Sequence, residues 1–112
     1  MKIPKKVKIG NETFKIKVKR FMKKNLYGSI CQCKKVIKIN KNNSTRELEA
    51  TFFHEIVHGL LKEMSFNYPF LKNKRFDEDF VEEMGLLMRN IYLDLLKKDE
   101  SSLKEIWEKE NE

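Results

Sequence analysis

Long apolar runs are missing from this chain, and so are most of the residues that staple or export a small protein. No stretch approaches the roughly 20 consecutive apolar residues that a bilayer span needs, which excludes a helical membrane anchor in this sequence. The opening residues, Met1-Lys-Ile-Pro-Lys-Lys6, lead into alternating lysines rather than the apolar stretch of a secretory signal, so a cytoplasmic protein is expected. Cysteine is limited to Cys31 and Cys33. Two residues apart on a strand, their side chains share a face yet are held apart by the extended backbone, and a mutual disulfide is not expected. Both read as free thiols, one or both partly buried. Internal repeats and low-complexity tracts are absent, and 112 residues suit one domain, 1-112, without a second catalytic unit.

Acidic residues are also scarce, but only at one end. Residues 1–42 hold fourteen Lys/Arg against Glu12 alone, whereas residues 43–112 hold ten against sixteen Asp/Glu, so a net charge of +7 divides into about +13 and −6. Such asymmetry can mark a nucleic-acid surface. In "FKIKVK", however, the lysines alternate with apolar residues as the wet face of a sheet does, and neither a helix-turn-helix pattern nor interleaved aromatics accompany them. Nucleic acid is therefore not the expected partner.

What is present is a clear change of period along the chain. Val7 and Ile9 precede a Gly10-Asn11 turn signal, and Phe14, Ile16 and Val18 follow it, the pattern of a β-hairpin. "YGSICQCKKVIKIN" holds two further β-prone runs about Lys34-Lys35, the second near Val36 to Ile39. Ser44-Thr-Arg-Glu47 then has the form of a capping box, which predicts a buried helix through "TFFHEIVHGLL" to about Met64. "SFNYPFLKNK" reads as a loop around Pro69. From about Asp77 to Lys97, Phe80, Val81, Met84, Leu87, Met88, Ile91 and Leu95 form a helical stripe. Ser102-Leu-Lys-Glu105 opens a short last helix. Strands first and helices after predict an α+β fold, a small antiparallel sheet packed on the central helix and a second helix with an acidic start.

Histidine occurs only twice, and both copies lie in that central helix as His54-Glu55-Ile56-Val57-His58. Residues i and i+4 share one helical face, so both imidazoles can reach a single Zn²⁺ at about 2.0–2.1 Å. Glu55, about 100° round the helix, stays off the metal but near a water on it, where it can serve as general base and then protonate the leaving amine. A catalytic zinc keeps three protein ligands and one open position. With no histidine left, the third ligand comes from "FDEDFVEE". Glu78 borders the face that carries Val81, Gly85, Met88 and Tyr92, which makes it the ligand of choice. Glu82, one turn on, suits acceptance of a ligating histidine's free ring N–H. Asp79 and Glu83 point to solvent, and Asp77 reads as an N-cap, or faces inwards if the helix begins earlier.

The pattern HEIVH, nineteen residues, then Glu78-x-x-Val81-Glu82-x-x-Gly85 resembles the gluzincin metallopeptidases, with Val81 and Glu82 in place of a small residue and Asp or Asn. More closely, residues 26 to 96 resemble the small phage and bacterial H-E-x-x-H proteins related to the ImmA/IrrE group. The resemblance implies a minimal zincin-like fold, one Zn²⁺ per chain and hydrolysis of peptide bonds. A zinc metalloendopeptidase acting on a protein or peptide is thus the leading expectation. The alternative is a non-catalytic zinc-binding regulator that binds a repressor or other protein partner. A strand near Val36 to Ile39, if it forms the sheet edge at the cleft, would pair with substrate by β-addition, with Ile37 in contact. Tyr68, Asn67 and Tyr27 are candidate donors to the developing oxyanion.

Overall fold

The computed structural model describes residues 3–20, 27–41, 44–71 and 77–97. The first hairpin joins β1 (Lys6–Ile9) to β2 (Glu12–Lys19), with Gly10 at φ +63° in its turn. That left-handed conformation suits glycine, which has no Cβ to clash. The second hairpin joins β3 (Gly28–Cys31) to β4 (Val36–Asn40).

Both hairpins are antiparallel, but the sheet they build is not. Its order is β1-β2-β4-β3, and β2 and β4 run parallel, Ile16 beside Ile37 and Val18 beside Ile39. The sheet is therefore mixed rather than antiparallel throughout. The reason lies in which strand has most to bury. Ile37 and Ile39 on β4 are both 0% exposed, while no β3 residue is fully buried, so the more apolar strand takes the centre and β3 the edge. This also corrects the expectation that Val36 to Ile39 forms an edge. Cys31 and Cys33 are both exposed, not partly buried, because β3 ends at Cys31 and Cys33 lies in the turn that follows.

One face of the sheet, through Ile9, Phe14, Ile16, Ile37 and Ile39, packs on Phe52, Phe53 and Ile56 of α1 (Thr45–Asn67). Ser44 and Glu47 close the capping box reciprocally, each side chain meeting the other's backbone N–H at 3.2 Å. The helix runs three residues beyond Met64, and the Tyr68 N–H donates to the Met64 carbonyl at 2.9 Å before Pro69 opens a short 3-10 turn, Pro69–Leu71. Helix α2 (Glu78–Lys97) begins behind Asp77, whose Oδ1 accepts from the Asp79 N–H at 3.0 Å, so Asp77 is the N-cap. Val81 and Gly85 are buried against α1, and Tyr92 reaches the Phe53 ring. Met88 is partly buried against the core, whereas Phe80, Met84, Leu87, Ile91 and Leu95 of the apolar stripe are exposed. The helix expected after Ser102 lies outside the described residues.

Between the helices, Arg89 Nε stands 3.8 Å from Glu49 Oε2, and neither atom has a hydrogen bond. A buried charge left alone costs more than the pair contributes. Arg89→Met or Glu49→Leu alone should therefore lower the unfolding free energy by about 2–4 kcal/mol, while the double variant should fall within about 1 kcal/mol of wild type. Denaturant unfolding of the three variants reads this directly.

Candidate metal centre

Helix α1 brings His54 and His58 to one side, one turn apart, and the first turn of α2 lays Glu78 across them. His54 Nε2 is 3.0 Å from Glu78 Oε2, His58 Nε2 is 3.1 Å from Glu78 Oε1, and the two Nε2 atoms are 3.2 Å apart. Tetrahedral bonds of about 2.0–2.1 Å place neighbouring ligand atoms roughly 3.3–3.4 Å apart. One donor atom from each of the three residues lies within 4.8 Å of the others, a triangle of donors in which the His54–His58 edge is close to that of a metal tetrahedron and each histidine nitrogen faces a different oxygen of the Glu78 carboxylate. The open side of this triangle carries no further His, Cys, Asp or Glu ligand among the described residues. These three residues could hold a metal ion.

The protonation pattern favours a cation as well. Glu82 Oε2 lies 2.9 Å from His54 Nδ1. With Nδ1–H donating to that carboxylate, the neutral ring leaves Nε2 as a lone pair. That lone pair, the Glu78 carboxylate and the His58 ring then converge on one point, an arrangement that a shared cation stabilises. Burial lowers the pKa of His58, with Glu78 acting in the opposite direction, so its free-base form is promoted.

Glu55 is not part of this triangle. It is 6% exposed and lines the same cavity of about 930 Å³ as His54, His58, Glu78 and Glu82. Burial pushes its pKa from 4.5 up to about 7; His54 pulls it down and Glu78 adds to the rise. A carboxyl group poised near neutrality can both take and return a proton.

The wall opposite the helix is the edge strand. Tyr27, Gly28, Ser29 and Ile30 line the cavity, and a Cβ on Gly28 would come within 3.5 Å of Glu55 Cγ and 2.4 Å of Thr51 Cγ2. Glycine there lets strand and helix close over the Glu55 side chain. Ile37, named from sequence as a substrate contact, is fully buried in the sheet interior and cannot play that part. Tyr68 and Asn67 lie at the far end of α1 and are not among the cavity-lining residues, whereas Tyr27 is. Lys62, one turn past His58, and Thr51, one turn before Glu55, also line it and were not singled out from sequence. Their i−4 and i+4 spacing from the motif was the available signal.

Gly85 sets the spacing of the two helices. A Cβ there would meet the His54 backbone N at 3.0 Å and Cα at 3.2 Å, atoms that cannot rotate away. Gly85 lies two turns from Glu78 on the same face, so displacing it moves the carboxylate. Gly85→Val should lower metal affinity roughly 10-fold or more, as loss of a supporting contact does, and lower stability by about 1–3 kcal/mol through overpacking. A competitive chelator titration measures the first and thermal unfolding the second.

Comparison with protein families, with curated proteins and with solved structures gives no match to this chain. No helix among the described residues is long and apolar enough to cross a membrane.

Proposed function

We propose that this chain is a zinc-dependent endopeptidase that cleaves an extended segment of a protein substrate. The observation that carries the reading is the convergence of His54, His58 and Glu78 donor atoms beside a buried Glu55, in a cavity walled by an edge strand. Two imidazoles and one carboxylate with an open side match the donor set of catalytic Zn²⁺. When bound, the ion supplies Lewis acidity at a carbonyl oxygen and at water.

The remaining work falls to the chain's own groups. Among the described residues, the edge of β3 away from β4 has no partner strand in the sheet. An extended peptide can add there by backbone hydrogen bonds, which fixes its direction across the cavity. Glu55 takes a proton from the attacking water onto a carboxylate oxygen and delivers it to the departing amine. Glu82 holds the His54 ring through Nδ1. Of the three oxyanion donors considered from sequence, Tyr27 is retained because it alone lines the cavity.

The test is a search for new protein N-termini in cells that express the wild type or Glu55→Gln at equal levels. Cleavages confined to the wild type support the reading. If neither form yields N-termini beyond those of cells lacking the protein while the wild type performs its cellular role, the protein acts by binding alone.

A further inference from the structure

We infer that the outer face of the sheet is a docking surface for the phosphate backbone of duplex DNA. The alternation of lysines with apolar residues is visible in the sequence, but which lysines become neighbours depends on the register. The structure pairs Lys6 directly with Lys15 and Lys17 directly with Lys38. Lys8 and Lys19 extend the same face, and all six are exposed on the side opposite α1. The only carboxylate in the four strands, Glu12, is paired with Ile9 and lines a cavity on the other face with Ile9 and Phe14. None of the six has an ion-pair partner among the described residues.

Like charges directly opposite each other destabilise a sheet. Two such pairs, with no carboxylate between them, form an array that a polyanion relieves. The array is also regular: Lys15, Lys17 and Lys19 follow one another at about 6.6 Å along one strand, and adjacent strands lie about 4.8 Å apart. This spacing suits successive phosphates, and a sheet face of this kind can neutralise several at once. Strands β1, β2 and β4 place no aromatic on it, so the base stacking that holds single strands is missing there. Backbone contact without base readout is what remains, and duplex DNA is the ligand it fits. The metal centre lies on the other side of the sheet, so this surface is independent of the proposed peptidase activity.

The experiment is a salt series of fluorescence anisotropy with a short labelled DNA duplex, run on the full chain. Log affinity should fall with log salt at a slope of about −4, roughly a 10²-fold loss between 50 and 200 mM. The triple variant Lys15→Thr, Lys17→Thr, Lys38→Thr should flatten the slope by about 2–3. Its resistance to denaturant should equal or exceed that of wild type, because the like-charge pairs are gone. Lys17→Thr and Lys38→Thr, made singly, should each flatten the slope by about 1. A charge-matched control, Arg46→Gln, Lys62→Gln, Lys97→Gln, should keep the wild-type slope. Equal losses in the two triple variants would show a nonspecific effect of net charge and overturn the inference. So would binding to phosphatidylserine-containing vesicles in preference to the duplex, or no binding to the duplex at 50 mM salt.

Discussion

Purified without chelator or a metal-binding tag, the chain should carry one zinc ion, and His54→Ala or His58→Ala should carry none. Each imidazole supplies one of three donors that lie within 4.8 Å of one another, so removing one leaves two ligands and an unfilled side. Glu78→Gln should be nearly as severe, since the carboxylate spans both histidines and its charge is lost. Glu82→Gln keeps a hydrogen-bonding oxygen near His54 Nδ1 but removes the negative charge, and a loss of about 10-fold fits the cost of weakening such a support. Asp79→Asn and Glu83→Gln should bind as wild type. Metal analysis of the purified variants, followed by chelator competition, establishes the order. Both histidine variants retaining full stoichiometry would place the metal elsewhere. Zinc at 1,000 times its dissociation constant would also add about 4 kcal/mol to stability, so chelation should lower the melting temperature of wild type but not of His58→Ala.

The local features of this molecule were legible because local chemistry determines them. The capping box at Ser44, the hairpin turn at Gly10 and the N-cap at Asp77 each depend on groups within four residues, and all three are present. The two hairpins were equally legible. How they join was not, because β2 beside β3 and β2 beside β4 satisfy the same alternation; the choice rests on the greater apolar burial of Ile37 and Ile39. That one decision moved the edge from β4 to β3, and with it the wall of the cavity from Ile37 to Gly28. The triangle of His54, His58 and Glu78 could be anticipated from helical phase, since both helices present regular faces. The close approach at Gly85 depends on how two helices cross, and only the assembled pair reveals it.

The largest functional effect is expected from Glu55→Gln, which should bind zinc as tightly as wild type yet lose about 10²–10⁴-fold in cleavage. Gln is nearly isosteric with Glu, and Glu55 lies outside the ligand triangle, so only the capacity to carry a proton is removed. The same variant has a second signature that needs no substrate. In the metal-free protein the Glu55 pKa is raised by burial from 4.5 to about 7. Between those values the folded chain keeps a proton that the unfolded chain has released, so the contribution of Glu55 to stability falls as pH rises through this window. The fall levels off above about 7, at a cost of about 3 kcal/mol. His58 acts in the other direction: its lowered pKa makes stability fall as pH drops through the ordinary imidazole range. The difference between wild type and Glu55→Gln isolates the glutamate. Metal-free Glu55→Gln should therefore unfold much as wild type does near pH 5 and resist denaturant better at pH 8. Equal stabilities at both pH values would mean that Glu55 ionises as an ordinary carboxylate and is not held ready to exchange a proton near neutrality. Full cleavage by the variant would assign the base to another group.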